Sequence, residues 1–136
     1  MIKMFLKDSL LVLIGGSLYV LLELVWRGRS HWSMALTGGL CFLAAGGLNE
    51  LSPAMPLIAQ AVLGGGIITG LELATGLLVN RDYSVWNYAA VPVNYRGQIC
   101  LLYSTLWVLL SFVIVFADDA LRRVLFAEPL PGYRFF

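Results

Sequence analysis

The amino-acid sequence predicts an all-α polytopic membrane protein that crosses the bilayer four times. Composition is the first ground: of 136 residues, 60% are hydrophobic and only 12% charged, with a mean hydropathy of +0.83, against roughly half apolar and a quarter charged in an ordinary soluble domain. Length is the second, because a helical crossing takes about 20 mostly apolar residues. The chain holds four such spans with short connections as a single domain over 1–136, with no room for a separate water-soluble one. The third ground is the cost of unpaired backbone amides in hydrocarbon, several kcal/mol each, which excludes open strands; the apolar runs are also too long and uniform for barrel strands.

The first span is predicted over about 8–26. Lys3 and Lys7 precede it as they would in a secretory signal, but the apolar run passes Gly15 and Gly16 to reach Trp26 without a small-residue cleavage site, so an uncleaved span is expected. Arg27-Gly28-Arg29 ends it, with Trp26 and Trp32 at interface level. The second span, about 33–48, stops at Asn49-Glu50, and Pro53 and Pro56 disfavour helix through the following connection. The third, about 57–80, is the longest. Residues 81–97 then form a polar and aromatic loop, longer than a usual connection, which predicts a functional segment or a re-entrant cap. The fourth span covers about 98–117. Residues 118–128 mix acids, arginines and large apolar side chains, which predicts a short C-terminal interfacial helix, and the aromatic tail 129–136 is placed at the headgroups.

Lys3, Lys7, Arg122, Arg123 and Arg134 fall on the side holding both termini, and Arg27, Arg29, Arg81 and Arg96 on the other. This bias favours both termini in the cytoplasm, in the cell membrane. With a formal net charge of +1 and no basic stripe to neutralise phosphates, nucleic acid is excluded as a partner. Cys41 and Cys100 lie inside apolar runs, where a free thiol behaves as a small hydrophobe.

The chain reads as two related helical hairpins. Gly15-Gly16 with Glu23-Leu24 aligns without gaps onto Gly64-Gly65 with Glu72-Leu73; the 30–35 segment resembles 84–89, pairing Trp32 with Trp86; and Cys41 corresponds to Cys100. Each unit has an even number of crossings, so the repeats are parallel, related by an axis along the membrane normal. Small residues at every fourth position, Gly66, Gly70 and Ala74, and likewise Ala35 and Gly39, predict close helix packing.

Ionisable residues inside spans are costly, about 2.5–3.5 kcal/mol each at the centre on insertion scales, and mark functional or helix-joining positions. Here they are Glu23 and Glu72. Arg27 lies four residues after Glu23 on the same face, and the repeat matches Arg27 to Gly76. The expectation is that the Arg27 guanidinium enters the space left by Gly76 and bridges both carboxylates, near Asn80 and Gln98. Two acids sharing one arginine leave a site suited to a cation, or one carboxyl that keeps its proton. The plainer alternative is a structural Glu23–Arg27 pair at the interface with Arg27 snorkelling. His31 beside Trp32 is read as an interfacial anchor, with proton transfer as the sharper alternative. Trp86 and Tyr88 belong to an aromatic belt, and Asn94 with Gln98 lines an entrance. No phosphate-binding loop, His-Glu-x-x-His or Cys-x-x-Cys is present, and one histidine argues against a metal centre; no cofactor is expected.

The run from Glu23 through Trp-Arg27-Gly-Arg-Ser-His31-Trp32 to Gly38-Gly39-Leu-Cys41, followed by Leu48-Asn49-Glu50, resembles the putative ABC-transporter type IV, or CmpB-like, family of small integral membrane proteins. Leu71-Glu72, Thr75-Gly76, Val85-Trp86-Asn-Tyr88, Pro92-Val-Asn94 and Gly97-Gln98-Ile-Cys100 extend the likeness over almost the whole chain. The resemblance implies a permease, although no glycine-containing coupling loop of the kind that docks importer permeases on an ATPase is recognisable. The expected function is therefore transport of a small solute or ion, centred on Glu72, Glu23 and Arg27. Four helices enclose a pathway thinly, so a homodimer or an assembly with other membrane subunits is expected. The rivals are a membrane-embedded enzyme on a lipid-like substrate, with Glu72 as general base and Arg27 or His31 holding an anionic headgroup, and an accessory subunit of a larger complex. Transport is favoured over enzymatic activity.

Overall fold

The computed structural model describes residues 1–52, 54–130, 132–133 and 135. The punctuation assigned to Pro53, the charge of Arg134 and the terminal aromatic Phe136 lie outside the described residues, as does Pro131 in the tail. In chain order the elements are α1 (Ile2–Arg27), α2 (Trp32–Gly46), the single turn α3 (Leu48–Leu51), α4 (Leu57–Val79), the two-residue strands β1 (Asn94–Tyr95) and β2 (Ile99–Cys100), and α5 (Leu101–Phe126). Four helical segments, Ile2–Arg27, Trp32–Leu51, Leu57–Val79 and Leu101–Phe126, are long and apolar enough to cross a membrane. The protein is thus an all-α polytopic membrane protein.

Helix ends follow local chemistry. Gly28 closes α1 in the left-handed region, φ 73°, with its N–H donated to the Leu24 carbonyl, a conformation that costs glycine nothing. His31 caps α2, its ring Nδ1 accepting from the Ser33 N–H. The first and last spans are each 26 residues, roughly 39 Å at helical rise, so they overrun a hydrocarbon layer of about 30 Å and bring Lys3, Lys7 and Arg123 to the headgroups.

Two expectations about the fourth span are corrected. It begins at Leu101 rather than Gln98, because Ile99–Cys100 pairs antiparallel with Asn94–Tyr95 and Cys100 is extended at φ −148°, ψ 157°. Nor is there a separate interfacial helix over 118–128: α5 continues unbroken to Phe126. No glycine or proline interrupts 101–126, and the i,i+4 pair Asp118–Arg122 supports helix where a break was expected.

Helix α2 is the centre of the bundle, packing against α1, α4 and α5, while α4 packs against α5. Glycines permit the approach. A Cβ on Gly15 would enter Phe42, one on Gly16 the Ala35 carbonyl and one on Gly39 the Val12 carbonyl, so α1 and α2 touch backbone to backbone. Gly64 and Gly65 do the same for Ser111 and Val108 of α5. By contrast Gly66 and Gly70 have nothing within 4 Å, and with Ala74 they face outward; among the described residues this stripe joins no helices. Leu11, Phe42, Ala45, Ile68 and Ile114 form the buried core. Leu13, Leu21, Val62, Leu78, Leu102 and Leu109 stand exposed around the bundle, a girdle suited to lipid tails and not to water.

Candidate functional site

At the end of the bundle away from the termini, α1 and α4 bring their carboxylates to one cavity. Glu23 lies one turn before the end of α1, and Arg27 donates from Nη1 to its Oε2 over 3.3 Å. The other arm of the guanidinium donates to the Val85 carbonyl in the loop between α4 and β1. Glu72 lies seven residues before Val79, roughly 10 Å inside the span, and is only 4% exposed. It is held from two directions: the Tyr88 hydroxyl donates to Oε2 at 3.0 Å and the Trp107 indole N–H to Oε1 at 3.2 Å. Burial, and after it the Glu72 charge, push the Tyr88 hydroxyl far above its ordinary value, so it remains a donor. Tyr88 also stacks on Tyr103, ring centroids 4.9 Å apart. Glu23, Arg27, Glu72, Trp86, Tyr88 and Trp107 line a cavity of about 630 Å³.

The loop that delivers Tyr88 is pinned by Asn80, fully buried at the end of α4. Its Nδ2 donates to the Trp86 carbonyl at 2.7 Å and to Gln98 Oε1 at 2.9 Å, while its Oδ1 accepts from the Val85 and Trp86 amides. Gln98 returns Nε2 to the Asn80 carbonyl at 3.0 Å, and the Trp86 indole donates to the Gln98 carbonyl at 2.8 Å. Every polar group in this knot has a partner, as burial demands.

Glu23, Arg27, Glu72 and Trp86 therefore meet at the cavity. Asn80 and Gln98 stand behind its wall as the latch of the loop. The expected bridge from Arg27 into the space beside Gly76 does not form. That space holds the Gln98 amide, whose Cδ would lie 2.9 Å from a Cβ on Gly76, and Arg27 is already engaged by Glu23 and Val85. His31 is occupied with Ser33, and Trp32 beside it is 68% exposed; neither lines the cavity. Asn94 shapes the loop, donating to the Val91 carbonyl and accepting from the Gly97 amide, and is not among the residues that line the cavity. Tyr88 was expected in the aromatic belt and instead reaches inward. Trp107 was not singled out; a tryptophan well inside a span was the available signal, since its N–H needs an acceptor there.

A second polar cluster, also unforeseen, lies at the end nearer the termini. Arg122 donates from Nε to Asp118 Oδ2 at 2.7 Å and lies 3.8 Å from both Glu50 and Glu128. Asn49 Nδ2 and the Tyr133 hydroxyl each reach Asp119 Oδ2 at 2.8 Å, and Lys7 pairs with Glu128. Among the described residues no group of three or more histidine, cysteine or acidic side chains is disposed to hold a metal ion.

Four helices long and apolar enough to cross a membrane, with two buried carboxylates bordering one cavity, define an integral membrane protein. The chain belongs to the family described as putative ABC-transporter type IV, whose model matches residues 11–128, a stretch that takes in Glu23, Glu72 and Arg122. Comparison with curated proteins and with solved structures returns no match.

Proposed function

We propose that this protein passes a small cation or cationic solute across the cell membrane, with the cavity between Glu23 and Glu72 as its binding site. The observation that carries this reading is the convergence of two buried carboxylates, from α1 and α4, on one cavity. Among the described residues two guanidiniums line it: Arg27, one arm on Glu23 and the other on the Val85 carbonyl, and Arg29, exposed at its rim. Behind that rim two carboxylates face the single guanidinium of Arg27, an arrangement that favours a cation in surroundings of low dielectric. The cap loop over 81–97 supplies the hydroxyl and the wall on the outer side.

Duplication of an ancestral hairpin accounts for this symmetry. Its support is that residues matched in sequence have matched surroundings: Gly15-Gly16 seats α2 as Gly64-Gly65 seats α5, and Glu23 and Glu72 border the same cavity. A second copy of the chain is the proposed neighbour, supported by the outward stripe of Gly66, Gly70 and Ala74. Both termini are assigned to the cytoplasm on the five-to-four excess of basic residues at that end.

Flux of monovalent inorganic cations and of methylammonium into liposomes holding the purified chain tests the reading. Glu72→Gln is expected to lower flux about tenfold or more, the equivalent of at least ~1.4 kcal/mol of lost binding, while lipid-facing Leu109→Ala leaves it unchanged. Flux indistinguishable from that of empty liposomes would refute permeation, and a chemical change in the lipid extract would favour the enzyme.

A further inference from the structure

A second cavity, about 150 Å³, adjoins the first. Tyr19, Leu22, Met34, Glu72 and Trp107 line both, so the two meet at the Glu72 carboxylate. Beyond that junction the walls are Leu18 of α1, Phe42 of α2, Ile68 of α4, and Leu110 and Ile114 of α5. The hydroxyl of Thr37, the polar group farther in, is taken by Thr75 at 2.7 Å. An apolar cavity of this size offers water no partners, stays dry and accepts an apolar guest of benzene size or a comparable stretch of alkyl chain. Leu18 and Val113 line this lobe while being 49% and 61% exposed. Their exposure places the mouth of the lobe between α1 and α5, opening sideways to the bilayer. An inorganic ion has no use for such a lobe.

We infer that the occupant of the joined cavities is a cationic amphiphile, a primary-amine head in the carboxylate chamber and a single alkyl chain in the apolar lobe. This deepens the permeation reading and rests on the same chamber. The head is assigned by charge. Glu23 and Glu72 carry acceptor lone pairs beyond those filled by Arg27, Tyr88 and Trp107, whereas Arg27 is held with one arm on Glu23 and the other on Val85 and Arg29 stands on the exposed rim. An anionic head would face two carboxylates against one guanidinium already paired with Glu23. The chain is assigned by continuity, since it leaves the head at Glu72 and runs past Trp107 without crossing a polar wall.

The test uses the purified full chain in phosphatidylcholine nanodiscs, irradiated with dodecylamine carrying a diazirine at the chain terminus, followed by peptide mapping. Label is expected on the segments around Leu18, Leu110 and Ile114. Excess unlabelled dodecylamine should suppress it, and dodecanoate should compete about tenfold less well or worse, because like charges set together cost several kcal/mol. Ala117→Phe and Leu110→Trp each fill the lobe without touching Glu23, Arg27, Glu72 or Tyr88, and each should remove the chain-terminal label. A probe with the diazirine beside the amine should still label the chamber in both variants. Label spread evenly over lipid-facing positions such as Val62 and Leu109, or equal competition by dodecanoate, overturns the inference. Flux of small cations with unspecific labelling would leave permeation standing and remove the amphiphile; specific labelling without flux would do the reverse.

Discussion

A carboxylate roughly 10 Å inside a span is tolerated where protein donors replace water, and Glu72 has Tyr88 and Trp107 in that role. The Tyr88 hydroxyl therefore does two things: it stabilises the acid and fastens the cap loop to α4. Its pKa is raised by burial and by Glu72. For a phenol raised on folding, the contribution to stability is whole below the ordinary value of about 10 and is lost as pH rises beyond it, because the unfolded chain gives up its proton first. Tyr88→Phe should thus lower stability at neutral pH by about 1.5–3 kcal/mol, the range for a hydrogen bond to a charged group. The wild type should hold its thermal midpoint from neutral pH to just below 10 and lose it faster than the variant above. Midpoints measured by intrinsic fluorescence across this range check both statements, and parallel curves for the two proteins would contradict them.

At the scale of elements, glycine positions decide which helices touch. Gly16 and Gly39 sit where backbone meets backbone, Gly66 and Gly70 where nothing is met, yet all four look alike in the sequence. Gly16→Val should separate α1 from α2 and cost about 1–3 kcal/mol or more, the usual penalty of overpacking. Gly70→Val should leave the folded monomer unchanged, any effect appearing in self-association. Unfolding titrations with each variant, with chemical cross-linking for association, separate the two positions. The same scale explains the loop. The sequence shows that 81–97 is too long and too aromatic for a plain connection, but not that Asn80 and Gln98 tie it down, because each amide takes partners from segments up to 18 residues apart.

Across the whole molecule, two polar clusters stand at opposite ends of an apolar bundle, and they differ in kind. The cavity cluster borders open space, while Arg122 is buried among Asp118, Glu50 and Glu128. It locks the end of α5 to the α2–α3 corner through charges that lose their partners together. Removing one member of a buried pair costs about 3–5 kcal/mol because the other charge is stranded. Arg122→Ala should destabilise by that order, whereas exposed Arg123→Ala should stay within about 0.5 kcal/mol. Comparison of their thermal midpoints decides; equal effects would show that the cluster is not an internal lock.

What the sequence by itself determined was the solvent and the crossings. Hydropathy is a sum over neighbouring residues, and the bilayer imposes helix wherever that sum is high. It also exposed Glu23 and Glu72, since an acid in an apolar run is visible without knowing its neighbours. The tertiary structure alone decided the partners: Gln98 and not Arg27 beside Gly76, Tyr88 and Trp107 on Glu72, and Asp118 to Arg122 inside the bundle instead of along its surface. A charge written in the chain has the same symbol whether it faces water, lipid or another helix. Only packing distinguishes the three, because which groups lose their water on folding depends on residues far apart in sequence.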